Sequence, residues 1–162
     1  MFLDSENNVE ISLEKQNKYY NKILKSLYEY CDYFILADNT YSYWNRELKN
    51  KFNDYINNFK KDILLDEYSN SWPGTMSEEK ARIVKISFSK EAYNLLKKNG
   101  PFIVENNYYS FQNTDFQLDI SFFKELGHNS FTNDELVLYT TTHEGKIIAS
   151  NKLKINRRIL WK

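Results

Sequence analysis

From Ser12 onward, apolar side chains recur three and four residues apart, at Tyr20, Ile23, Leu24, Leu27, Tyr28 and Cys31. That spacing is one stripe of an amphipathic helix, and Ser12 has the side chain to cap it. Cys31 closes the stripe and is expected to face the core. The run Tyr33-Phe34-Ile35-Leu36-Ala37 is apolar throughout and ends at Asp38-Asn39-Thr40, which predicts a short buried strand, the first of the chain, closed by a turn. A second stripe of Trp44, Leu48, Phe52, Tyr55, Ile56 and Phe59 predicts a helix capped by Ser42, with Lys and Asn on its outer side.

Asp62–Tyr68 mixes apolar and acidic residues in a manner compatible with a strand or with more helix, and Ser69–Thr75 is expected to break it. Arg82–Phe88 alternates, with Val84, Ile86 and Phe88 forming a fully apolar face and Ile83, Lys85 and Ser87 the other. Ser89 predicts a helix cap, and Asn99-Gly100-Pro101 predicts a left-handed exit and a stop after Leu95 and Leu96. Phe102–Val104 and Tyr108–Phe111 read as short strands. Phe116–Leu126 is ambiguous between strand and helix, and over 102–126 as a whole, strand and then helix is the preferred order. Glu135–Thr141 and Lys146–Ser150 are rich in β-formers and read as a hairpin joined by His143-Glu144-Gly145.

Helices lead, strands follow, and one short helix lies between strands. This order predicts an α+β fold: one domain over 1–162, with a twisted, mostly antiparallel sheet backed by two N-terminal helices and a short middle helix. With aromatic residues at 17% of the chain, Tyr and Phe must supply much of the core. Two prolines, four glycines and no repeat leave no linker at which to divide the chain.

Charge changes the picture mainly by exclusion. Lys plus Arg and Asp plus Glu are each 22, so no global field draws nucleic acid or an anionic membrane. Met1-Phe2-Leu3-Asp4-Ser5-Glu6 lacks the basic and apolar regions of a secretory signal, and no apolar run is long enough to span a bilayer. A single cysteine permits no internal disulfide, and the expected address is the cytoplasm. Heavy use of Asn, Lys, Ile and Tyr points to an AT-rich, bacterial gene.

Candidate chemistry is sparse. His143 and Glu144 could form half of an acid/base pair, but beside Gly145 they read better as a solvated turn, and His128 in Gly127-His128-Asn129-Ser130 reads the same way. Two histidines without ligand spacing predict no metal site, and Gly74 and Gly100 belong to no phosphate-binding pattern, so no cofactor is expected. Cys31 on an apolar stripe behaves as a small hydrophobe. The basic tail Lys152–Lys162 could contact phosphates, but Leu153 and Ile155 on one parity and lysines on the other favour a last, lysine-protected strand. Ser71-Trp72-Pro73-Gly74-Thr75 suits a type II turn with Trp72 closing over the core. The same Trp on a rigid corner also has the character of an interface anchor.

That corner, followed by a strand and later by Asn133-Asp134-Glu135-Leu136-Val137-Leu138-Tyr139 and a turn at Gly145, resembles a group of small bacterial proteins with a Trp-Pro-Gly-Thr corner and a late acidic-Leu hairpin. Asn133 stands where that group has Pro, and His143-Glu144 precedes the second strand rather than following it, so no residue role carries over. The resemblance implies a helix-backed antiparallel sheet without demonstrated enzyme activity, and some such small bacterial proteins look like immunity partners of polymorphic toxins. The expected function is therefore a non-enzymatic protein-binding domain, an immunity protein neutralising a bacterial toxin, with partner-binding candidates Trp72, Pro73, Gly74, Thr75, His143 and Glu144 and no catalytic residue assigned. The alternatives are a small hydrolase-like enzyme with a site built from Tyr, Asp, Glu and His, and a nucleic-acid binder using the tail.

Overall fold

Helix α1 (Leu13–Tyr30) begins where the sequence places it, with the Ser12 hydroxyl accepting a hydrogen bond from Lys15 N–H at 3.2 Å. The computed structural model that shows this describes residues 7–38, 45–127, 134–153 and 155. Ile23, Leu24 and Leu27 on α1 are fully buried, each contributing about 1.5–3 kcal/mol of transfer free energy. Helix α2 (Arg46–Asn57) starts three residues later than Ser42 would have it. The Asn45 side chain caps it by accepting from Glu47 and Leu48 N–H groups, and the predicted cap Ser42 and Trp44 lie outside the described residues. Helix α3 (Lys90–Asn99) is capped by Ser89 and carries Lys97 and Lys98 in its last turn, where cations suit the carbonyl end.

The strands are β1 (Asn8–Ile11), β2 (Tyr33–Asp38), β3 (Ile63–Trp72), β4 (Thr75–Ser87), β5 (Ile103–Glu105), β6 (Tyr109–Phe111), β7 (Leu118–Lys124), β8 (Glu135–Thr141) and β9 (Lys146–Ser150). Seven form one sheet in the order β1-β9-β8-β7-β2-β4-β3, and each neighbouring pair is antiparallel. β5 and β6 make a separate two-stranded piece. The predicted α+β class, with an antiparallel sheet backed by helices, is the observed one.

Several local expectations are corrected. Tyr33–Asp38 is not the first strand, because β1 precedes α1 and pairs with β9, Ile11 opposite Ile147. The chain does not break at Ser69. β3 runs on to Trp72, bulging between Ser69 and Ser71, because an edge strand tolerates polar residues that face water. Phe116–Leu126 holds no helix: β7 occupies Leu118–Lys124, in keeping with the alternation of Leu118, Ile120 and Phe122 with Asp119 and Ser121, although both parities are buried. Gly100 is not left-handed (φ −56°). Glycine is required there by proximity, since a Cβ would lie 1.9 Å from the Tyr20 ring. Leu153 and Ile155 are buried as their parity predicts, but Asn151–Leu153 is a turn rather than strand, and Lys154 and residues 156–162 lie outside the described residues.

All three helices cover the same face of the sheet. Phe34, Leu36, Val84, Ile86, Ile120 and Phe122 point into this layer and pack with the apolar faces of α1, α2 and α3. Phe122 contacts Phe34, Phe88 and Phe102 with centroids 5.3–5.7 Å apart, so the aromatic content is concentrated here. No helix among the described residues is long and apolar enough to cross a membrane.

Candidate functional site

Successive side chains on a strand face opposite ways, so the positions between the core residues line the other face. The register sets Ile35 beside Lys85 and Ser121, and Ala37 beside Ile83 and Asp119. Tyr33 is level with Phe123, and their rings stack at 5.1 Å with 9° between planes. β3 adds Leu65, Glu67 and Ser69 opposite Lys85, Ile83 and Ala81. A cavity of about 380 Å³ opens on this face, floored by Ile35, Ile83 and Lys85, walled by β3 on one side, and closed at one end by Trp72 and Pro73.

Lys85 was expected on the more polar side of β4, and it is 7% exposed. Its ammonium lies 4.1 Å from the centroid of the Tyr33 ring, a cation–π contact that offsets part of the cost of burying the charge. The Tyr33 hydroxyl donates to Asp134 Oδ2 at 2.6 Å. Burial first, and then that carboxylate partner, push the phenol above its ordinary pKa, so it remains a donor across the neutral range. The cavity thus combines aromatic walls, one cation in its floor and the Glu67 carboxylate on its β3 side.

Beyond the Trp72 end lies a junction that the sequence reading missed. Asp119 is 3% exposed, and its two oxygens accept from separate hairpins: the Trp72 indole N–H at 2.8 Å and the Thr142 backbone N–H at 2.8 Å. Burial raises its pKa, opposed by the Thr142 and Trp72 bonds and by the field of His143. The turn beyond Trp72 presses on β8. Gly74 has φ +83°, the sign a type II turn needs at its third residue, and a Cβ there would lie 2.6 Å from the Tyr139 ring and 3.0 Å from Thr141 Oγ1. Asp119 therefore links the two motifs that stood out in the sequence. The available signal was an acid between Leu118 and Ile120, on the polar parity of an alternating run that also holds Gln117 and Ser121.

The six partner-binding candidates are brought to this region in two groups. Trp72 and Pro73 are buried and line the cavity, Trp72 at 2% exposure, so the indole serves as an inner wall rather than a projecting anchor. Gly74 and Thr75 complete the turn and are half-buried. His143 and Glu144 sit on the exposed turn between β8 and β9, with Nε2 and Oε1 3.8 Å apart and Lys146 3.9 Å from Glu144 Oε2. His143 does not line the cavity. His128 lies outside the described residues. Cys31 is buried, and desolvation together with the adjacent Asp32 pushes its thiol up, away from nucleophilic character. Among the described residues, no group of three or more His, Cys, Asp or Glu side chains is arranged to hold a metal ion.

No protein-family model matches the chain, and comparison with curated proteins and with solved structures finds no similar protein. The site is therefore interpreted from its own geometry.

Proposed function

We propose that the chain is a non-enzymatic protein-binding domain that acts in the bacterial cytoplasm as an immunity protein neutralising a toxin. The binding half of this reading is carried by one observation: an open, aromatic-walled cavity on the sheet face opposite the helices, beside a hairpin that exposes large apolar side chains. Pockets of this size and lining accept an apolar group and orient it with a few polar ones. For the hydrolase-like alternative, the candidate His143 faces solvent outside the cavity lining. The toxin half rests on the resemblance of the Trp72–Thr75 corner and the Asn133–Tyr139 string to a group of small bacterial proteins, some of which look like immunity partners of toxins.

The test is co-expression with the neighbouring open reading frame of the native gene. Growth should be lost when that frame is expressed alone, and restored, with a stoichiometric complex, when this chain is present. A neighbouring product that is harmless, or one that stays toxic and unbound in the presence of this chain, would remove the immunity assignment.

A further inference from the structure

We infer that the free edge of β3 is the contact strand, and that it accepts an extended, basic-and-apolar segment of the partner as an added antiparallel strand. This rests on the protein-binding reading and specifies the mode of contact. Among the described residues β3 is the terminal strand of the sheet, and the outward N–H and C=O groups of this ten-residue strand have no ladder partner there. Two bulges, at Ile63/Leu65 and Ser69/Ser71, bracket a regular stretch from Leu65 to Ser69, which is long enough for a short guest strand.

This stretch is sticky as well as open. Leu64, Leu65 and Tyr68 are 55%, 36% and 55% exposed, and Met76 on the returning strand is 80% exposed. Leu65 faces the cavity side and Tyr68 the opposite side, with Met76 further along opposite Ser71, so exposed apolar groups flank this edge on both faces, as at an association surface. The odd-numbered residues Leu65, Glu67 and Ser69 also form the β3 wall of the cavity, so inward side chains of a guest strand would continue that wall outward.

Charge selects the occupant. The regular stretch Leu65–Ser69 carries two acids, Asp66 and Glu67, and no base, while Arg82 and Lys85 stand opposite it on β4. Arg82 holds Asp66 through a two-pronged pair at 2.9 and 2.7 Å. Glu67 remains as an exposed carboxylate in the middle of the regular stretch. A second copy of β3 centred there would set Glu67 against Glu67, a like-charge pair that opposes pairing. A guest with an apolar residue opposite Leu65 and Lys or Arg opposite Glu67 gains at both positions. Main-chain hydrogen bonds would supply affinity, and these two side chains specificity.

The probe is the peptide Val-Thr-Lys-Thr-Val, added at millimolar concentration to the full chain, with amide hydrogen exchange and NMR shifts as readouts. Protection centred on Asp66, Glu67 and Tyr68 is expected, fading as salt rises from about 0.01 M to about 1 M and the screening length falls from about 30 to about 3 Å. Exchanging the peptide's Lys for Glu should weaken binding about two- to fivefold, and Glu67→Lys in the protein should reverse that preference. Replacing both Thr by Pro removes two N–H donors and should abolish protection. Absence of protection at β3, protection centred on another element, or a peptide preference unchanged by Glu67→Lys would each overturn strand addition. The peptide experiment needs no native partner, so its outcome is separate from whether a toxin is neutralised.

Discussion

Asp119 is a carboxylate held in an apolar strand by two N–H donors from different hairpins, and its ionisation is tied to the stability of the whole. Burial outweighs those donors and raises its pKa, so the folded chain holds this proton more tightly than an unfolded one, in which Asp titrates near about 3.9. The sign follows from that direction. Below both values the group contributes nothing, a cost builds as pH rises from the unfolded value to the folded one, and it is constant above, so acidification from neutral towards about pH 4 recovers stability. Asp119→Asn cannot recover it, and its amide offers one acceptor where two donors point, a loss of about 1–3 kcal/mol. Urea unfolding at neutral pH and near pH 4 should show the deficit of Asp119→Asn widening in acid. A deficit that narrowed would contradict the burial argument. This residue and Lys85 are where the sequence was hardest to read. Each is a charged side chain that alternation would send to water, and each is buried by its own partners, Asp119 by Trp72 and Thr142 and Lys85 against the Tyr33 ring.

At the scale of elements, the capped helices were the most legible. Ser12 and Ser89 both cap as their positions predict, and they do so differently. The Ser89 hydroxyl accepts from Ala92 N–H at 3.0 Å and also donates to Asp62 Oδ2 at 2.7 Å, joining the start of α3 to the approach to β3. Ser12→Ala should cost about 1 kcal/mol, and Ser89→Ala more, because the carboxylate loses its donor together with the helix. Chemical denaturation of the two variants ranks them, and equal losses would show that the Asp62 bond adds nothing. The elements that escaped prediction share physical reasons. β1 is four residues long and carries Asn8 and Glu10, too short a run to show a period. β3 has polar residues on an edge where water satisfies them, so its pattern imitates a loop. β7 does alternate from Leu118 to Phe122, but its polar parity, Asp119 and Ser121, is as buried as its apolar one, and Phe123 breaks the period. The cap of α2 moved from Ser42 to Asn45 because both residues can cap and only packing chooses between them.

For the whole molecule, the two faces of the sheet have different tasks. The helix side holds the aromatic core, where Phe122 is fully buried among Phe34, Phe88 and Phe102. Phe122→Ala should cost about 3–5 kcal/mol, whereas Tyr68→Ala on the exposed edge should stay within about 0.5 kcal/mol. Thermal unfolding of the two variants separates a residue used for folding from one left on the surface, and a large loss at Tyr68 would show that the edge is structural. The strand order also fixes where a label can be attached. Asn151 N–H bonds to Asn7 O at 3.0 Å, so the chain enters β1 and leaves β9 side by side at one margin of the sheet, with β3 at the far margin. Six interstrand spacings of about 4.8 Å place those margins about 29 Å apart. A dye, purification handle or surface tether joined upstream of Asn7 therefore arrives on the side remote from β3, and an immobilised chain can be probed there without steric interference from its anchor.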